Sequence, residues 1–152
     1  MQIRPATNQD ADAIRTLVFG VLEEYGLRAC HEGTDADLVD IEKNYQARGG
    51  FFDVLVDDKG RIVGSVGVHP QGDGVCELRK MYLIPELRGQ GLGRKLLDRS
   101  IVRARELGFS RMELETSSRL TQAIALYQAN GFEPFTPPHT ALRCDQAWAR
   151  SL

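Results

Sequence analysis

The chain has 152 residues, 42% hydrophobic and 26% charged, the balance of a soluble globular protein with one core. Its formal net charge of −2 excludes a broad electrostatic pull toward nucleic acid or an anionic membrane. No apolar run approaches the ~20 residues of a membrane-spanning helix.

Cys30, Cys76 and Cys144 are odd in number and far apart, with no C-x-x-C spacing. That speaks against a disulfide framework and against a metal site. With cysteines used in this way, a reducing cytoplasm is the expected home, and the start, Met1 to Pro5, lacks the apolar core of a signal peptide.

Residues 2–6 read as an edge strand. Thr7 and Asp10 carry the spacing of a helix cap. Ile14, Leu17, Val18, Val21, Leu22 and Tyr25 then recur with helical period, and Gly26 ends the helix. Thr34 and Asp37 open a second, weaker helix carrying Leu38, Ile41 and Tyr45. Gly49 and Gly50 break it. Residues 51–56 alternate as a strand, and residues 57–60 form a turn. Residues 62–68 are the partner strand, residues 69–74 a loop, and residues 75–83 a third strand. A helix over 91–107 leads to a strand at 110–116. A parallel pairing of that strand with 75–83 needs a crossover, and this helix supplies one. A last helix carries Ala123, Ile124, Leu126 and Tyr127, with Ser117 or Ser118 as its cap. Short strands at 132–135 and 140–148 close the chain. The expected fold is α/β: a mixed, mostly antiparallel sheet with helices on both faces, in one domain over residues 1–152.

One junction stands out. Arg88-Gly89-Gln90-Gly91-Leu92-Gly93 sits between the strand 75–83 and the first turn of the helix 91–107. The first N–H groups of a helix have no partner inside it and carry the positive end of its dipole. Glycine lets a backbone approach an anion closely. The stretch is therefore a candidate phosphate cradle, with Arg88 adding charge and Arg94 and Lys95 close enough to help. It is neither a Walker loop nor a dinucleotide fingerprint, because no Gly-Lys-Ser/Thr follows and the glycines run G-x-G-x-G.

The run Arg88 to Gly93 closely resembles the Arg/Gln-x-x-Gly-x-Gly/Ala motif of the GNAT superfamily of acyl-CoA N-acyltransferases. Glu77 to Leu83 looks like that family's central strand, and Leu126 to Phe132 resembles its late helix with a closing Gly-Phe pair. The resemblance spans residues 2 to 136 and is sharpest over 75 to 132. It implies a sheet whose central strand and the next parallel strand splay apart, with acetyl-CoA as acyl donor in the gap. It implies a pyrophosphate held by Arg88, Gly89, Gln90, Gly91, Leu92, Gly93 and Arg94. It also implies a pantetheine arm paired to the strand at Met81, Tyr82 and Leu83, and a backbone N–H near Met81 for the oxyanion. Tyr127 would protonate the departing thiolate, although an aromatic on such a stripe equally serves as core packing. The family's asparagine three residues before the alanine at 123 is here Leu120, so Ser118 or Thr121 would have to supply that contact.

Acyl transfer to an amine also needs a base, since an alkylammonium with a pKa near ~10 has no lone pair for attack. Glu77 is the first candidate, placed by period two on the face of Met81 and Leu83. His69 competes with it. Cys76, on the opposite face from Glu77, is a minor covalent alternative. For the acceptor the resemblance points to Glu24, Tyr25, His31 and Arg143, with Glu23, Glu32 and Asp145 nearby. Glu23 and Glu24 would hold an ammonium group and Arg143 a carboxylate. The acceptor is thus expected to be a small amine such as an amino acid or a polyamine. Two alternatives stay open: a non-catalytic acyl-CoA-binding sensor, and an acetyltransferase of protein N-termini or lysines. A homodimer is conceivable through exposed strands near the C-terminus.

Overall fold

The computed structural model describes all 152 residues, Met1–Leu152. Seven strands form one sheet in the order β1-β2-β3-β4-β5-β7-β6. The strands are β1 (Gln2–Pro5), β2 (Phe51–Val56), β3 (Ile62–Gly72), β4 (Val75–Leu83), β5 (Arg111–Thr116), β6 (Glu133–Pro134) and β7 (Gln146–Ser151). The helices are α1 (Ala11–Glu24), α2 (Ile41–Asn44), α3 (Leu92–Glu106) and α4 (Thr121–Ala129). All neighbours pair antiparallel except β4 and β5, which are parallel and joined through α3. No helix is long and apolar enough to cross a membrane.

Alternation in the strands sends side chains to two cores. Val66, Val68, Cys76, Leu78, Met112 and Leu114 meet the apolar stripe of α3 (Leu96, Leu97, Ile101, Ala104) and Tyr127 of α4. Phe52 and Val54 face the other way, against Ile14, Val18 and Leu22 of α1 and Leu38, Ile41 and Tyr45 around α2. The two faces of one sheet are thereby each sealed by helices.

Three local differences from the sequence reading have physical causes. The second helix is broken into a 3-10 turn at Ala36–Leu38, the short α2, and another turn at Gln46–Arg48. Three buried side chains at 38, 41 and 45 are enough to pin this segment without a continuous helix. The β3 strand runs on through His69 and Pro70 to Gly72, so the loop shrinks to Asp73-Gly74. Both residues there have positive φ, 55° and 76°, the backbone of a tight two-residue hairpin turn. Finally, β7 begins at Gln146 and inserts between β5 and β6, later in the chain than the alternation over 140–148 indicates.

The functionally decisive irregularity lies in β4. Ser65 pairs with Tyr82, and Gly67 pairs with Arg79. Two steps along β3 therefore match three along β4, and the extra residue makes a β-bulge. Lys80 carries it with φ 54°, a left-handed conformation rare for a side chain of this size. It is held there by Ser65, whose buried hydroxyl donates to the Lys80 carbonyl at 2.7 Å. The bulge reverses the alternation. Cys76 and Leu78 lie on the α3 side, and Met81 and Leu83 pack against that same core, while Tyr82 packs on the α1 side. Glu77 is thus on the face opposite Met81 and Leu83, which corrects the period-two expectation.

Candidate active site

The β4–β5 seam is paired only at its beginning, from Val75–Arg111 to Glu77–Glu113. Beyond Glu77 the two strands part. Ile84 N–H donates to Val63 O on β3 at 3.0 Å. Alternation then turns the N–H groups of Met81 and Leu83 away from β3, toward the opening. A cavity of about 470 Å³ occupies this gap. Its walls include Glu77 to Tyr82 of β4, Glu115 and Thr116 of β5, Ala123 and Tyr127 of α4, and the segments around 33–37 and 139–144.

The glycine-rich loop lies at the far end of β4. Gly89 and Gly91 have φ 76° and 81°, a conformation that only glycine adopts at low cost. From Gly89 to Arg94 no backbone N–H enters a turn, cap or side-chain hydrogen bond. The first such donor is Lys95, to Gly91 O at 3.1 Å. Six consecutive unpartnered N–H groups thus lie at the positive end of a fifteen-residue helix. Arg94 is exposed beside Asp98, at 3.6 Å. Arg88 is differently occupied: its Nη2 donates to Glu24 Oε1 at 2.9 Å and to Leu83 O at 3.0 Å, and its Nη1 donates to the Tyr25 hydroxyl at 3.1 Å. Arg88 braces the loop to α1 and β4, and the backbone is left as the principal anion-binding element.

That pairing also relocates two residues expected at the acceptor. Glu24 and Tyr25 belong to the brace around Arg88. His31 sits edge-on against Phe19 of α1, ring centroids 4.6 Å apart, and is absent from the cavity wall. Arg143 does line the cavity, but its guanidinium is committed to Asp35, at 2.6 and 2.8 Å. Asp145 receives the Ser118 N–H and hydroxyl, both at 2.7 Å, which removes Ser118 as a stand-in for an asparagine at 120. Leu120 itself lines the cavity.

Tyr127 is buried, and its hydroxyl makes no hydrogen bond within the protein. Burial, with smaller contributions from Tyr82 and Cys144, pushes it well above an ordinary phenol. It stays protonated and free to donate. Glu77 reaches the cavity but accepts from Arg79 Nε at 2.6 Å. His69 pairs across the strands with Glu77 and stacks edge-on with Tyr45, outside the cavity wall. Burial, then Arg79 and Arg48, lower its pKa. Cys76 is fully buried in the α3 core, and burial raises its thiol to about 12, which leaves no thiolate for covalent catalysis.

The structure adds a residue that alternation alone does not single out. Glu115 projects into the cavity from β5, on the face of Glu113, which pairs with Glu77. It has no ion-pair partner. Burial and the neighbouring Glu77 raise its pKa, against a smaller pull from the Ala141 amide, Arg79 and Arg143. Glu115 and Tyr127 stand twelve residues apart in the chain, on β5 and on α4 of the opposite face. The opening between β4 and β5 brings both into one cavity. A basic carboxylate and a protonated phenol around one gap suit proton removal from a nucleophile and proton delivery to a leaving group.

A splayed parallel seam, a glycine-rich helix start and a carboxylate and a phenol in one gap suit an acyl-CoA-dependent acyltransferase. The family model of the Acetyltransferase (GNAT) family matches residues 20–132, and the chain belongs to that family. It is 40% identical over 136 residues to an uncharacterized N-acetyltransferase, YjgM, of Escherichia coli strain K12, covering 86% of this chain and 81% of that protein. It is 27% identical over 138 residues to the aminoalkylphosphonate N-acetyltransferase of Salmonella typhimurium, covering 87% and 84%. The acetyltransferase of the GNAT family from Staphylococcus aureus Mu50 shares the fold with a TM-score of 0.92, at 22% identity and coverage of 99% and 98%.

Proposed function

We propose that the protein transfers the acetyl group of acetyl-CoA to the primary amine of a small molecule by direct attack. The observation that carries this reading is the single cavity in which the open edge of β4, Glu115 and Tyr127 meet. Acetyl-CoA would supply an activated thioester. The N–H groups of residues 89–94 would hold its pyrophosphate, and the free edge at Met81 and Leu83 would pair with its pantetheine arm as an added strand. The six unpartnered N–H groups fit an anion, and the outward-turned amides fit an amide-bearing chain.

Glu115 takes the proton of the acceptor amine. Its raised pKa makes it a stronger base than an ordinary carboxylate, while Glu77 keeps that pKa high and is itself held by Arg79. Tyr127 gives its proton to the thiolate. A small acceptor is favoured by the cavity's volume of about 470 Å³, walled in part by residues 33–37 and 139–144. The relative named for aminoalkylphosphonates supports a small amine as well.

The reading is tested by titration calorimetry with acetyl-CoA and CoA, followed by thiol release across an amine panel with Tyr127→Phe as control. Micromolar binding and amine-dependent thiol release, reduced about 100-fold by Tyr127→Phe, are the expected results. Binding without release from any amine would point instead to an acyl-CoA sensor. Absence of binding at ~1 mM, about −4 kcal/mol, would overturn the cradle and the reading with it.

A further inference from the structure

The charged side chains of the cavity are almost entirely committed to one another. Arg79 is held by Glu77 at 2.6 Å, with Asp37 at 3.9 Å. Lys80 lies 2.8 Å from Asp35 and 3.5 Å from Asp37, and donates to Thr34 O at 3.0 Å. Arg143 makes its two-pronged pair with Asp35. Against these three cations stand four carboxylates: Asp37, Glu77 and Glu115 of the wall, and the buried Asp35 that pairs with Lys80 and Arg143. His139, the one histidine of the wall, is exposed at its rim. The group left over is a carboxylate, Glu115.

A second observation has the same sign. The Asp37 side chain is only 9% exposed. Its Oδ2 accepts from the Tyr45 hydroxyl, and its Oδ1 is buried facing the Lys80 ammonium at 3.5 Å, without a hydrogen bond. Asp37 lines the cavity, and the one cation near its Oδ1, Lys80, is shared with Asp35. The site carries surplus negative charge and holds no unpaired cation for an acid group.

We infer that the acceptor is an alkylamine carrying no anionic group, whose remaining polar atoms are donors: a diamine or an amino alcohol rather than an amino acid or an aminophosphonate. The inference rests on the acetyltransferase reading and narrows it. An acceptor carboxylate would have to displace Asp35 from Arg143, or Glu77 from Arg79, leaving a buried protein carboxylate unpaired. An ammonium entering beside Glu115 leaves every existing pair intact. A hydroxyl or second amine on the same molecule meets no like charge from these carboxylates. The role expected for Arg143, holding an acceptor carboxylate, is thereby replaced by an internal one, bridging the 28–35 and 139–144 segments. Across an acceptor site like charges placed together suppress the wrong partner, and specificity arises as much from this as from attraction.

The test is steady-state kinetics of the full chain with four acceptors of one carbon length: diaminopropane, aminopropanol, beta-alanine and aminopropylphosphonate. The expected result is a kcat/KM for the diamine and the amino alcohol at least about tenfold above that for either acid, the scale of unpaired-charge discrimination. In Asp37→Asn, which removes one carboxylate charge from the wall, that ratio should narrow through KM. Circular dichroism checks that the variant is folded, and the wild-type ratio decides the matter without it. Equal or better turnover of the two acids would overturn this inference and leave the acetyltransferase reading standing. Tight acetyl-CoA binding with no thiol release from any amine would overturn both.

Discussion

At the scale of single residues, the informative contrast is between Glu77 and Glu115. Both are strand carboxylates at the same cavity, and only one is paired. The Glu77 charge raises the Glu115 pKa, so the rate should climb as pH rises and Glu115 loses its proton. Glu77→Gln removes a like charge and frees Arg79. The acidic limb of the kcat/KM profile should therefore move to lower pH, while Glu115→Gln should abolish that limb and lower the rate roughly 100-fold or more. An acidic limb in Glu77→Gln at or above its wild-type position would return the base role to Glu77. Glu115 was visible in the sequence as one of the polar positions of an alternating strand, but nothing in Met112 to Thr116 says that it faces a gap. Its pairing state depends on where β4 turns away, and that is tertiary information.

At the scale of elements, the strand–loop–helix unit from β4 to α3 contains both the most legible and the least legible parts of the chain. The loop was readable because glycine at 89 and 91 has a backbone reason, positive φ, that few other residues satisfy. Gly91→Val should cost about 1–2 kcal/mol through its left-handed φ and weaken CoA binding at least tenfold, with calorimetry as the readout. Unchanged affinity in a folded variant would remove the cradle from the site. The bulge at Lys80 was unreadable because the sequence there is an ordinary alternation with no glycine to mark it. A lysine takes φ 54° only because Ser65 holds its carbonyl and Asp35 holds its ammonium. The strain is over-determined by partners 15 and 45 residues away in the chain.

At the scale of the whole molecule, the Asp35 cluster ties the two segments above the cavity to the sheet. Asp35 is 1% exposed and receives Arg143, Lys80 and the Cys30 amide. Burial alone would raise its pKa, and these three donors together outweigh burial and hold it well below the usual carboxylate range. A depressed folded-state pKa contributes stability that is present above the unfolded value near ~4 and is lost as pH falls toward the folded one. Asp35→Asn leaves buried cations short of a counter-charge and should cost about 3–5 kcal/mol in urea unfolding at neutral pH. A variant as stable as the wild type would show the cluster to be dispensable to the fold. The sheet and both cores were legible from periodicity. The nearness of residues 30–37 to 143 came only from the family resemblance, and the Asp35–Arg143 pair not at all, because these segments have no period.

An open strand edge ordinarily invites another polypeptide and so carries a risk of aggregation. The free stretch of β4 beyond Glu77 is such an edge, yet it lies between neighbours inside the sheet, with β5 across from it and α4 beneath. A second protein chain, thick with side chains, meets those walls before it meets the backbone. A slender unbranched arm does not. By splaying two central strands, the fold opens a backbone edge inside the sheet, apart from its outer strands β1 and β6.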